Sequence, residues 1–300
     1  MRNLARFKIH CIAAALLAAL PLSAFAQHGV LAVAASGINP EYTLPVYAAA
    51  ATSQPDAASF PGSPTPRLPT GVPGEDREVS WRKLPLNILH DQKDLWLFPL
   101  QLGRGRHLLP ALFITGGTAA FLATDPQVMP HFRKTTDFHN FNRVFSGTST
   151  NVAMAAVPAV FYAAGLLRKD SYAQSTALFA GEAVVDSTIL MVVTKAITRR
   201  ARPTERPIAG PYNDTFFHTN SSALGTGSSF PSGHSLTAFS IATVFARRYR
   251  DHRWVPYVAY AAATAIAFSR VTTGAHFPAD VFLGASLGYV IARYDVLRGQ

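Results

Sequence analysis

The chain has 300 residues, of which 49% are hydrophobic and only 15% charged, with a formal net charge of +10 and a mean hydropathy of +0.15. That length allows one large domain or two small ones, and the basic balance suits anionic lipid surfaces, phosphorylated substrates or nucleic acid without choosing among them. The one cysteine, Cys11, lies in the N-terminal apolar stretch; once that stretch is removed, disulfide scaffolds and thiolate metal centres are excluded.

The first residues carry Arg2, Arg6 and Lys8 and no acid, and an apolar run follows from Ile9 to Leu20. Pro21 breaks the run, and Ala24-Phe25-Ala26 offers small residues before Gln27. This three-part pattern predicts a cleaved secretory signal peptide over residues 1–26, because the apolar run is short for a bilayer span. Residues 27–80 are rich in Ala, Pro and Ser and poor in large apolar side chains. They are expected to form a disordered tether, since they cannot bury enough surface to offset chain entropy. The helical domain is expected over residues 81–300.

From Trp81 the character changes. Leu84, Leu86, Ile88, Leu89, Leu95, Trp96, Leu97 and Phe98 are interleaved with Lys, His and Asp. This pattern fits either an amphipathic segment lying at a membrane surface or a short helix packed on the core. Six apolar segments follow, over residues 107–124, 150–167, 173–197, 233–248, 254–268 and 278–293. Their lengths fit helices better than strands, and their Ala and Gly content allows close helix contacts. The expected fold is therefore all-α, a compact bundle of about six core helices behind a signal peptide and a Pro/Ala/Ser-rich tether. Glu182 and Asp186 lie four apart inside the third segment. They are expected to pair with basic residues in the bundle or to orient Lys195 or an arginine.

Two topological rules disagree about the membrane. Arg168-Lys169 and Arg247-Arg248-Tyr249-Arg250 lie at the end of the bundle opposite the chemistry described next. The positive-inside rule puts those loops in the cytoplasm and the chemistry outside. An exported N-terminus followed by six crossings puts the chemistry inside. A periplasmic domain that touches the membrane resolves the conflict, as does one segment that does not cross.

Three clusters carry chemistry. In the first, Lys195 and Arg202-Pro203 are seven apart, nearly two helical turns, so both cations share one stripe, and Pro203 ends the helix there. Arg199 and Arg200 beside them read as a basic helix end favoured by the macrodipole. In the second, Pro231-Ser232-Gly233-His234 opens an apolar helix. Ser232 is a natural N-cap, Gly233 allows close backbone approach, and a helix N-terminus suits phosphate. In the third, Ser269-Arg270 is followed by His276 and Asp280, an i, i+4 pair. A carboxylate there can hold one ring nitrogen as N–H and leave the other bare and nucleophilic. No carboxylate-rich or Cys/His set accompanies the pair, so metal ligation is discounted and no cofactor is expected. Phe216 and Phe217 fit either a substrate mouth or ordinary core packing.

Together these residues form the inventory that phosphoryl transfer needs: cations and N–H groups for the equatorial oxygens, a nucleophile and an acid. The pattern Lys195-x6-Arg202-Pro203, Pro231-Ser232-Gly233-His234 and Ser269-Arg270-x5-His276-x3-Asp280 resembles the three-part signature of the type 2 phosphatidic acid phosphatase superfamily. That superfamily includes bacterial class A acid phosphatases and vanadium haloperoxidases. The resemblance implies a metal-free phosphatase with a phosphohistidine intermediate. It implies His276 as nucleophile, Asp280 as its orienting group and His234 as the acid for the leaving group. It implies Lys195, Arg202, Ser232, Gly233 and Arg270 as binders of the phosphoryl oxygens. The expected substrate is a lipid phosphate or diphosphate, such as phosphatidic acid, phosphatidylglycerol phosphate, undecaprenyl diphosphate or a lipid A phosphate. A soluble periplasmic acid phosphatase, a vanadate-dependent haloperoxidase and a non-catalytic membrane protein are the alternatives. The expected partners are a phosphorylated lipid or small phosphate ester and a membrane surface or bilayer, with no nucleic acid and no protein partner inferred. The expected location is exported, on the periplasmic side and membrane-associated, with multi-pass insertion open.

Overall fold

Long apolar segments rich in Ala and Leu have little choice but to fold as helices and to bury their backbone polar groups within themselves. The computed structural model describes residues 77–298, except residues 106, 147 and 220–226. The expected signal peptide, and the expected tether up to residue 76, lie outside the described residues. Eight α-helices and no strand occur among the described residues. They are α1 (Leu84–Gly103), α2 (Leu108–Lys134), α3 (His139–Phe145), α4 (Thr148–Arg168), α5 (Ser171–Thr198), α6 (Gly233–Arg248), α7 (Trp254–Thr272) and α8 (Pro278–Val290). A π-helical turn, Ile291–Val296, extends α8.

The six expected segments correspond to α2 and to α4 through α8. The largest difference is α2, which continues past residue 124 through Pro126 and Pro130 to Lys134. Proline normally ends a helix by removing an N–H and clashing with the preceding turn. Here Asp125 and Met129 are fully buried in the protein, and their burial carries the helix through both prolines. The resulting stripe of Asp125, Met129 and Arg133, each one turn apart, runs toward the candidate site.

Helix α6 sits between α5, α7 and α8. Its contact with α8 depends on Gly284 and Gly288. A Cβ at Gly284 would collide with the carbonyl oxygen of Ser232, and one at Gly288 with that of Leu236. This GxxxG spacing lets the two backbones approach closely and fixes the start of α6 against α8. The turn between α4 and α5 is sealed by the Asp170 side chain, which accepts from Ala173 N at 3.0 Å.

Helix α1 packs one face on the core, as the second reading of its pattern expects. Asp91, Gln92 and Leu95 face the bundle, while Leu86, Leu89 and Leu100 are exposed. Ahead of Trp81, Arg77 is already tied into the bundle. Its guanidinium spans Asp91 with two bonds of 2.8 Å, reaches the Asp295 carbonyl at 2.7 Å, and pairs with Glu182. Glu182 pairs with a cation as expected, but that cation comes from the stretch read as tether and not from the expected bundle. Asp186 instead accepts from Gln92 at 2.9 Å.

Three helices are long and apolar enough to cross a membrane: Leu108–Lys134, the stretch His139–Arg168, and Ser171–Glu205. Helices α2 and α4 leave large apolar side chains uncovered, including Leu109 at 81% exposure, Phe113 at 71% and Leu167 at 88%. Helices of this length and apolar composition, with large apolar side chains left exposed, give the chain the character of a membrane protein.

Candidate active site

The site lies where α5 and α7 end and α6 and α8 begin. Lys195 is in the last turn of α5, and its side chain is buried. The chain then leaves the helix at Arg199 in a left-handed conformation and brings Arg200 inward, only 2% exposed. Arg202 follows and is half-buried. Its Nη1 donates to the Ala275 carbonyl at 3.3 Å and lies 3.5 Å from His276 Nε2. Arg270, in the last turn of α7, is set by α3. Its Nη2 donates at 3.3 Å to the carbonyl of Phe145, where α3 ends. Its Nη1 lies 3.3 Å from His234 Nε2.

Ser232 caps α6 as expected. Its hydroxyl accepts from Ser235 Oγ at 2.9 Å, and its backbone N–H donates to the Asp280 carbonyl at 2.9 Å. That leaves the first-turn N–H groups of Gly233 and His234 as the helix terminus nearest the cations. Gly233 is required for a second reason, because a Cβ there would run into the sulfur of Met191. All eight expected residues thus come to one end of the bundle.

The orientation of His276 differs in one respect from the expectation. Its Nδ1 faces the main-chain carbonyl of Ser229 at 2.7 Å, while Asp280 Oδ2 lies 3.6 Å away. A carbonyl only accepts, so Nδ1 carries the proton and Nε2 is left bare. Asp280 acts beside that bond. Its Oδ2 accepts from Phe277 N at 2.8 Å and from the Ser229 hydroxyl, and so holds both ends of the segment that positions the ring. The i, i+4 spacing puts the two residues together, but the closest acceptor comes from a loop that the spacing does not reveal.

Burial holds His276 down at about 4, with Arg202 and Lys195 adding to the effect against the opposing pull of Asp280. His234 is held down at about 3, first by burial and then by Arg270, His276, Lys195 and Arg202. Burial alone would raise Asp280, but Arg200, His276 and Ser229 outweigh it and bring it below the ordinary carboxylate range. Both imidazoles are therefore neutral, and Asp280 is ionised, at neutral pH.

Sequence reasoning missed Arg200, Asp125 and Ser229. Arg200 bridges Asp280 and Asp125, donating to the latter from Nη2 at 2.7 Å, and its guanidinium stacks 4.0 Å from the centre of Phe277. Asp125 also accepts from Ala279 N at 3.1 Å. A lone acid in an apolar helix is the signal that would have found Asp125. Phe216 packs on Arg200, 4.8 Å from its guanidinium, whereas Phe217 is exposed.

An all-α membrane bundle that gathers three cations, two neutral imidazoles and a helix N-terminus at one end has the anatomy of a phosphoryl-binding protein. Residues 175–296 match the PAP2 superfamily model. A lipid A 1-phosphatase of Rhizobium etli is 35% identical over 105 residues, covering 35% of this chain and 42% of the relative. A lipid A 1-phosphatase of Porphyromonas gingivalis is 36% identical over 64 residues, covering 21% of this chain and 14% of the relative. The chain therefore spans less than half the length of either relative. A solved transmembrane PAP2-type phosphatidylglycerolphosphate phosphatase from Bacillus subtilis aligns over 68% of this chain and 93% of its own, at 21% identity and a TM-score of 0.36.

Proposed function

We propose that the chain is a metal-independent phosphatase of lipid phosphates or diphosphates that works through a phosphohistidine at His276. One observation carries this reading: a bare His276 Nε2, fixed by the Ser229 carbonyl, opens toward Arg202 in a site that also holds the buried cation of Lys195. Among the described residues Lys195 has no hydrogen-bond or ion-pair partner, so an incoming phosphate supplies the missing counter-charge.

In the first step His276 Nε2 attacks phosphorus as the bond to the leaving oxygen breaks. Lys195, Arg202, Arg270, the Ser232 hydroxyl and the N–H groups at Gly233 hold the equatorial oxygens, where charge concentrates. His234 passes a proton to the leaving oxygen. Water then attacks the phosphohistidine, releases phosphate and restores the imidazole. Because His234 is neutral at rest, its proton arrives with the substrate, as the phosphate monoanion.

The exposed apolar faces of α2 and α4 support insertion of α2, α4 and α5 in a bilayer. The basic residues at the far end, including Arg168, Lys169 and Arg250, favour a site on the non-cytoplasmic side. Retention in the membrane fraction after carbonate washing is the expected result, and release into the soluble fraction would return the domain to a peripheral role.

The deciding assay is hydrolysis of p-nitrophenyl phosphate, phosphatidic acid and lipid A in the presence of EDTA. The relatives' names make lipid A the first complex lipid to try. Turnover is expected to survive the chelator, and loss restored by added divalent cation would overturn the metal-free step. His276→Ala is expected to lower kcat by at least about 10³-fold, since the attacking atom is gone. Near-normal turnover in that variant would remove His276 from the mechanism.

A further inference from the structure

The stripe on α2 that carries Asp125 and Met129 ends at Arg133. Asp125 holds Arg200 and Ala279 beneath the site, and Met129 packs with Val271 and Phe277. One turn on, Arg133 lies directly over Gly274, two residues before His276. A Cβ on Gly274 would meet Arg133 Cδ at 2.8 Å and its Nη1 at 3.4 Å. Gly274 has φ +68°, so a glycine is needed there both for the backbone and for the approach of the guanidinium. The neighbouring residue, Ala275, takes Arg202 Nη1 on its carbonyl at 3.3 Å. Arginines from α2 and from the end of α5 thus meet on the same two-residue segment.

Arg133 is also unpaired. Its Nε is closed off from water and has no acceptor, and no carboxylate forms an ion pair with it among the described residues. An arginine held in this state beside a phosphoryl site is a donor fork without its anion. It lies outside the signature residues.

We infer that Arg133 is an anion-binding residue for a second negative group of the substrate, beyond the phosphoryl group that is transferred. The inference rests on the phosphatase reading for its substrate and gives that reading a preference: head groups with a second phosphate bind better than those with one. Arg133 does not touch the transferred group, so it acts on binding of the second anion and not on the chemical step.

The test compares phosphatidic acid with diacylglycerol diphosphate, the same lipid carrying one and two phosphates, in mixed micelles. The Arg133→Gln variant is expected to raise KM for the diphosphate about 10-fold, with kcat within about 2-fold and phosphatidic acid kinetics nearly unchanged. Arg133→Lys should recover part of the loss, because the charge returns without the planar fork. Equal losses on both lipids, or a fall confined to kcat, would assign Arg133 to holding the Gly274 loop and overturn the inference. So would no change on either lipid. A second arm does not depend on turnover: calorimetric titration of the detergent-solubilised protein with inorganic pyrophosphate and phosphate. Wild type is expected to bind pyrophosphate about 10-fold more tightly than phosphate, and Arg133→Gln to abolish the difference. If no lipid is hydrolysed but that difference holds, the phosphatase reading fails and the anion site stands. Equal binding of the two anions by wild type would overturn the site itself.

Discussion

Helix α5 carries two buried polar regions with opposite solutions to the same problem. Near its middle, Glu182 and Asp186 join Asp91 in an acidic cluster that includes the Arg77 guanidinium. Near its end, Lys195 joins Arg202 and Arg270 in a cationic cluster, with no carboxylate in ion-pair reach of the lysine among the described residues. In the first, three carboxylates share one counter-ion, Arg77, and one carboxamide, Gln92. Among the described residues, Glu182 Oε2 and Asp186 Oδ2 in that cluster are left without partners. The second is left open on its positive side. Burying charge without a partner is costly, so the cationic region marks where an anionic ligand completes the structure, whereas the acidic one is held by a cation of the fold itself.

Substitutions that neutralise one charge in each region should separate these roles. Lys195→Met is expected to lower kcat/KM on phosphatidic acid by about 10²–10³-fold, the usual cost of removing a donor aimed at transition-state charge. The same variant should unfold at an equal or higher temperature than wild type without phosphate, because an uncompensated buried cation has been removed. A clear loss of thermal stability would mean that Lys195 already has its counter-charge in the fold.

Arg77→Met should behave in the opposite way. It leaves Asp91 and Glu182 buried without their cation, and breaking such a pair costs about 3–5 kcal/mol. Thermal unfolding in detergent is expected to show that loss, while kcat of the folded fraction stays within about 2-fold of wild type. A large fall in kcat at unchanged stability would couple the acidic cluster to catalysis.

The two regions were unequally legible in the sequence. Every expected site residue sits at one end of the bundle, and the start of α6 at Ser232 was a legible local signal. But α5 ends at Thr198 through the left-handed Arg199 and not at Pro203, so Arg202 lies beyond the helix and not on one helical stripe with Lys195. The i, i+4 relation of His276 and Asp280 is local as well. What the sequence hid depends on contacts between distant segments. Arg200 looked like one more basic residue at a helix end, yet it joins Asp125 on α2 to Asp280 on α8. Ser229 supplies a carbonyl, which any residue type has, so no side-chain pattern could announce it. Arg77 lay in a stretch whose composition reads as tether, and its role depends on where Asp91, Glu182 and Asp295 meet.

The pH response gives the smallest and most specific contrast. His276 and His234 have folded values of about 4 and about 3, below the ordinary 6.5. Above 6.5 both states of the protein hold these rings neutral, so they contribute no pH dependence. As pH falls below 6.5 the unfolded chain takes up protons that the folded site refuses, and stability declines until the folded rings protonate. The acid limb of kcat/KM should therefore fall near 4, where His276 Nε2 is lost as a nucleophile. The alkaline limb should belong to the substrate, because a neutral His234 needs the proton that the phosphate monoanion brings, and a phosphate monoester loses it near about 6. Beyond that point kcat/KM should drop about 10-fold per pH unit. Substrates with a more acidic second ionisation should shift this limb to lower pH by the same amount. A limb that stays fixed across substrates would show that the titrating group is on the enzyme and that His234 is protonated before substrate arrives.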